Sequence, residues 1–120
     1  MIAALALFAA AALWDRPFTV ERPSEVTATV TARCGGCSWS SAAKTGAMLV
    51  LEVDGRYAQH LAVTRGEGPA DYAVSLGRLS PGTHRLAIRL DRKWTPAAVR
   101  EVDIPGVSIA TIAEDAPAFQ

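Results

Sequence analysis

Several features that point to common functions are scarce or missing in this 120-residue sequence. It has two cysteines, two histidines and 7% aromatic residues, and its twelve basic residues are balanced by twelve acidic ones. Without a basic excess, the long-range attraction that nucleic-acid binding needs is missing. No apolar run reaches the roughly 20 residues of a membrane-spanning helix. The sequence therefore argues against nucleic acid as a partner and predicts no membrane span.

Signatures of catalysis are missing too. The chain has no G-x-S-x-G elbow for a nucleophilic serine and no glycine-rich loop that would cradle phosphate. No motif makes His60 or His84 a general base, and His60 is interpreted as a surface or cross-strand residue. The acidic residues are scattered over turns and strand faces, as solvating charges are. We expect a protein that is not an enzyme and that uses no cofactor and no metal.

Residues 2–13 are apolar and rich in alanine. This run is too short to cross a bilayer but has the length of the hydrophobic part of a secretory signal, and the alanines at 9–12 offer small-residue cleavage positions. We interpret residues 1–13 as a signal peptide or unstructured leader, and expect a secreted or periplasmic protein. The alternative is an internal start at Met1, which would leave this segment as a buried strand or helix.

The rest of the chain follows the period of two that is typical of half-buried strands. Val26, Ala28, Val30 and Ala32 alternate with polar residues, and 34–45 is interpreted as a loop. An apolar strand over 48–53, the turn Asp54-Gly55 and a partner over 56–65 predict a hairpin. Further strands are predicted around 72–76, over 83–91 and over 99–112, the last interrupted at Pro105-Gly106 by a bulge or at a sheet edge.

Strands that recur about every ten residues, with no long helical period, indicate a sandwich or barrel. We therefore expect an all-β, immunoglobulin-like antiparallel β-sandwich of about seven strands over residues 18–112. Residues 113–120 contain no pattern that closes a fold and are interpreted as a linker or tail.

Two segments resemble fibronectin type III and other immunoglobulin-like modules of exported bacterial proteins. They are Tyr72-Ala-Val-Ser-Leu76 and Leu79-Ser-Pro-Gly-Thr-His84-Arg-Leu-Ala-Ile88, read as strand, corner and strand. Pro81 and Gly82 would form the corner, and His84 stands where a tyrosine usually bonds back to the corner backbone. The cysteines are too close together for the inter-sheet disulfide of antibody domains, so the resemblance is one of architecture. It implies a spacer, a ligand-binding accessory unit or an adhesion unit.

Cys34-Gly-Gly-Cys37 is the most conspicuous short motif. Two intervening glycines allow the sulfurs to approach, and in an exported protein a disulfide is the expected state. The alternatives are free thiols, metal binding and a redox-active pair. A redox pair needs a helix N-terminus to lower a thiol pKa, and zinc commonly needs a second cysteine pair, so neither has the supporting pattern here.

Three aromatic residues are candidates for ligand binding: Trp94, Trp39 and Tyr57. Exposed aromatic rings on a sandwich can stack on sugars while their polar atoms stay wet, although core packing is the commoner use. Trp94 is the strongest candidate because it lies at a loop tip, where a large aromatic side chain usually has a function. The alternative is a structural role, in which the Trp94 side chain folds back as a lid over the end of the sandwich.

These observations predict a non-catalytic accessory or interaction module, the N-terminal part of a larger exported protein. One alternative is a carbohydrate-binding module that uses Trp94, Trp39 and Tyr57. The other is a thiol-disulfide redox protein that uses Cys34 and Cys37. A protein or a carbohydrate partner fits the module, and the oligomeric state is open.

We expect the protein from its natural source to lack the leader, to continue past Gln120 and to contain one intramolecular disulfide. Intact mass spectrometry with alkylation, before and after reduction, measures all three. Both cysteines should be alkylated only after reduction. A mass that retains Met1 would contradict the leader, and a mass ending at Gln120 would contradict the larger chain.

Overall fold

The computed structural model describes residues 11–37, 46–99 and 101–114. Seven strands occupy these segments: β1 Trp14–Val20, β2 Ser24–Gly35, β3 Ala47–Val53, β4 Arg56–Val63, β5 Ala70–Leu79, β6 Gly82–Leu90 and β7 Glu101–Ala113. They form a four-stranded sheet in the order β1-β6-β3-β4 and a three-stranded sheet in the order β5-β2-β7. Each pairing is antiparallel, which confirms the predicted all-β sandwich of seven strands.

The edge strands leave the immunoglobulin and fibronectin type III families unconfirmed. In a constant-type immunoglobulin domain the first strand lies beside the second and the last strand beside the sixth. Here β1 pairs with β6 and β7 pairs with β2, so the first and last strands have exchanged sheets. The sandwich architecture was readable from the sequence, whereas this assignment of edges depends on long-range pairing.

The core consists of the inward-facing side chains of both sheets. Val26, Ala28, Val30 and Ala32 on β2 have no exposed surface, as their alternation predicts, and they belong to one core cluster with Leu49 of β3. Each buried Val or Leu side chain contributes about 1.5–3 kcal/mol when it is removed from water. The polar residues between them point outward, because successive residues of a strand face opposite sides.

Several strand limits differ from those expected. β1 begins at Trp14, ahead of the predicted domain start at 18, and Pro17 is tolerated because β1 is an edge strand. β2 continues to Gly35, so Cys34 belongs to a strand and not to the predicted loop, whose residues 38–45 lie outside the described residues. β7 is one edge strand through Pro105, with a register irregularity opposite Thr31–Arg33.

The predicted hairpin and the Ser80-Pro81-Gly82 corner meet at one end of the sandwich. Asp54 and Gly55 both have positive φ, 54° and 79°, as a type I′ turn requires, which confirms the turn. His84 Nε2 lies 2.8 Å from the Ser80 carbonyl oxygen and Nδ1 lies 2.7 Å from Asp54 Oδ2. Because both partners are acceptors, the two contacts are satisfied together only when both ring nitrogens donate, as in imidazolium.

These contacts move both pKa values. The hydrogen bond to Ser80 and then the one to Asp54 raise the pKa of His84 above its usual 6.5, whereas the bond from His84 lowers the pKa of Asp54 below 3.8. The His84 contribution to stability is complete below pH 6.5 and is lost as the pH rises through the raised value. The Asp54 contribution is complete above pH 3.8 and is lost as the pH falls through the lowered value.

We expect His84→Phe to reduce the free energy of unfolding near pH 6 by about 1–2 kcal/mol, because charge-assisted hydrogen bonds are lost while a ring is kept against Phe18. The wild-type melting temperature should fall between pH 6 and pH 9 more steeply than that of the variant. Thermal unfolding by circular dichroism measures both slopes. Equal slopes for His84→Phe and the wild type would contradict this role.

Candidate functional site

The loop of residues 91–99 is anchored to β3 although its tip is exposed. The Thr95 hydroxyl accepts a hydrogen bond from the Met48 amide at 2.9 Å and donates to the Met48 carbonyl at 3.3 Å. Arg92 donates to the carbonyls of Val99 and Pro96, and the Val99 side chain is buried in the core. The loop therefore holds its conformation without the indole of Trp94.

Trp94 is 64% exposed and forms one wall of a groove of about 360 Å³. Such a volume is within the usual range of small-ligand sites. The groove crosses the outer face of β3 and β4 where they approach the 91–99 loop, and it is largely apolar. Its lining residues are Gly46, Ala47, Met48, Ala62, Thr64, Trp94 and Pro96. The Lys93 ammonium lies over one face of the indole, 5.5 Å from the ring centroid.

Tyr57 is 62% exposed and lies on β4, the strand that also contributes Ala62 to the groove. Its hydroxyl is 2.9 Å from His60 Nδ1, and His60 Nε2 is 3.0 Å from Asp91 Oδ2. Asp91 Oδ1 also accepts the Lys93 amide at 3.1 Å. The hydrogen bond from His60 is the main reason why the pKa of Asp91 is lowered. This chain of hydrogen bonds connects Tyr57 to the loop that carries Trp94.

Cys34 and Cys37 form a disulfide with a Cα–Cα distance of 5.5 Å. Both are buried, with 0% and 2% exposure, and both belong to the hydrophobic core. A redox-active pair needs an accessible, low-pKa thiolate. The arrangement instead favours a cross-link that fixes the end of β2, which makes the redox alternative weak.

Two further classes of site find no support in the described segments. Across residues 11–37, 46–99 and 101–114, no three His, Cys, Asp or Glu side chains are grouped to hold a metal ion. Within the same segments no helix is long and apolar enough to cross a membrane. Trp39, the third aromatic candidate, lies outside the described residues, so its participation stays a prediction.

The groove contains residues that sequence reasoning did not single out. Met48, Ala62 and Pro96 come from β3, β4 and a loop, and each is an ordinary apolar residue without a local signature. His60 and Asp91 were interpreted separately, as a surface residue and a solvating acid, because 31 positions separate them. The outward side of the period-two pattern in β3 and β4 was the one signal that could have grouped Met48 with Ala62.

No protein-family model and no curated protein sequence matches the chain. Among solved structures, the "EclA C-terminal domain; sugar-binding protein" matches with a TM-score of 0.59 and 14% identity, covering 84% of this chain and 68% of its own. The CBM36-1 domain of a multidomain xylanase from the hindgut metagenome of Trinervitermes trinervoides matches with a TM-score of 0.54 and 12% identity. That match covers 83% of this chain and 73% of the other. At these identities the likeness is one of fold.

We expect Gly46→Ala to distort the groove and destabilise the domain by about 1–3 kcal/mol, the usual cost of overpacking. A Cβ at position 46 would lie 2.7 Å from the Val63 carbonyl oxygen, whereas one at Gly68 would meet nothing within 4 Å. Chemical denaturation of Gly46→Ala and the matched control Gly68→Ala measures the difference. Equal unfolding midpoints would show that the backbone at the groove relaxes without cost.

Proposed function

We propose that this domain is a non-catalytic carbohydrate-binding module and that sugar rings stack on Trp94 in the groove over β3 and β4. The observation that carries the proposal is an indole that is 64% exposed on a loop anchored independently of it. The indole is not an isolated exposed residue, because it borders the largely apolar groove lined by Met48, Ala62 and Pro96, and exposed apolar grooves of this kind mark binding sites.

The chemistry of the groove suits a sugar. A pyranose has apolar C–H faces and polar edges, so it needs a flat apolar surface with hydrogen-bonding groups at its margin. Trp94, Met48 and Ala62 supply the apolar surface, while Thr64 and the indole N–H supply polar atoms. The two fold neighbours, a sugar-binding protein domain and a CBM36-1 domain of a xylanase, support this class of ligand.

Carbohydrate binding is a more specific form of the function expected from the sequence, a non-catalytic accessory or interaction module. A module of this kind attached to a larger exported protein would hold that protein close to a glycan. Attachment to a larger protein, export and the participation of Trp39 remain parts of the proposal. The mass measurement tests the first two, and Trp39→Ala tests the third.

We expect the full 120-residue chain to be retarded in affinity gels by at least one polysaccharide of a panel that includes xylan, mannan and hydroxyethylcellulose. Trp94→Ala should weaken that binding about tenfold or more, equivalent to about 1.4 kcal/mol, and Trp94→Phe should weaken it less. Unfolding midpoints should be unchanged, because the loop does not depend on the indole.

Ile112→Ala is the matched control, because Ile112 is 47% exposed on a strand of the other sheet. Its binding should equal that of the wild type. A panel in which no polysaccharide is bound, or binding that Trp94→Ala leaves unchanged, would overturn the proposed function.

A further inference from the structure

A bulge in β4 turns Tyr57 toward the face that carries the Trp94 groove. On β3 and β4, Leu51 pairs with Gln59 but Glu52 pairs with Tyr57, so Ala58 is an extra residue. In a regular register Ala58 would pair with Glu52, and Tyr57 would stand opposite Val53, whose side chain is buried in the core. Bulges re-aim side chains in this way and occur often beside functional sites.

The register gives the spacing along the strands between the Trp94 groove and Tyr57. Met48 pairs with Ala62 in the groove, and Glu52 pairs with Tyr57. Met48 and Glu52 are four residue steps apart on β3, which is about 14 Å at about 3.4 Å per residue. A single sugar ring is no larger than one aromatic side chain and cannot touch both positions.

Tyr57 is restrained although it is exposed. Its hydroxyl bonds to His60, and the two rings lie 5.2 Å apart between centroids. The bond from His60 to Asp91 connects this pair to the loop of Trp94. An exposed ring held in place in the free protein loses less freedom on binding, which favours affinity.

We propose that Tyr57 is a second sugar-stacking position and that the ligand is a linear polysaccharide chain lying along β4 from the Trp94 groove to Tyr57. His60 and Asp91 are positioning residues that hold the tyrosine ring. This inference rests on the proposed function, and it adds the form of the ligand: an extended chain and not a terminal sugar.

The test is isothermal titration of the full chain with the mono-, tri- and hexasaccharides of cellulose, xylan and mannan. In the series that binds, affinity should rise with length until the oligosaccharide spans both positions. Tyr57→Ala should reduce hexasaccharide affinity about tenfold, to the level of shorter chains, and leave short-chain affinity unchanged. Trp94→Ala should reduce the affinity for every length that binds.

His60→Ala should reduce part of the extra affinity for the hexasaccharide and leave the affinity for shorter oligosaccharides unchanged. In a Tyr57→Ala background it should have no further effect on affinity. A general structural defect would instead lower short-chain affinity and the unfolding midpoint. Two results would overturn this inference and leave the proposed function standing. One is an affinity that does not depend on oligosaccharide length. The other is an affinity that Trp94→Ala weakens but Tyr57→Ala leaves unchanged. Absence of binding in the whole panel would overturn both.

Discussion

Burial of every second side chain along β2 is the constraint on which the rest of the structure depends. β2 lies between β5 and β7, so its backbone is paired on both sides, and its inward residues from Val26 to Cys34 have no exposed surface. A slip of one residue would turn Thr27, Thr29 and Thr31 into the core and expose the apolar row. The cost of that exchange fixes the register of the three-stranded sheet and the layer against which β3 packs.

In the 91–99 loop, the residues that hold the loop in place are different from the residue proposed to bind a ligand. Thr95 and Val99 attach the loop to β3 and to the core, and Arg92 braces it from within. Trp94 contributes little to this attachment and remains largely in water. The loop therefore has a defined shape that the indole proposed to stack on sugar does not have to maintain, and such preorganisation suits a binding surface.

The parts of the fold that depend on local sequence were predictable, and the parts that depend on distant partners were not. Asp54-Gly55 identifies the β3–β4 hairpin because positive φ at both positions is a local requirement. Trp94 stood out because an aromatic residue at a loop tip is unusual in itself. β1 was missed in part because Trp14, Arg16 and Phe18 alternate directly after the apolar segment of residues 2–13 and around Pro17. The groove, the bulge at Ala58 and the bond between His60 and Asp91 are formed by cross-strand partners that no local window contains.

The exchange of the first and last strands also determines how the domain would carry load. β1 runs from Trp14, opposite Ile88, to Val20, opposite Gly82, and β7 ends with Ala113 opposite Ser24. Because only residues 21–23 separate β1 from β2, the start of β1 and the end of β7 lie at opposite ends of the sandwich. A force that pulled these two ends apart would act along both edge strands, on different sheets, and would shear many backbone hydrogen bonds at once. Resistance to force is governed by the rate of unfolding, so such a geometry favours a domain that stays folded under tension.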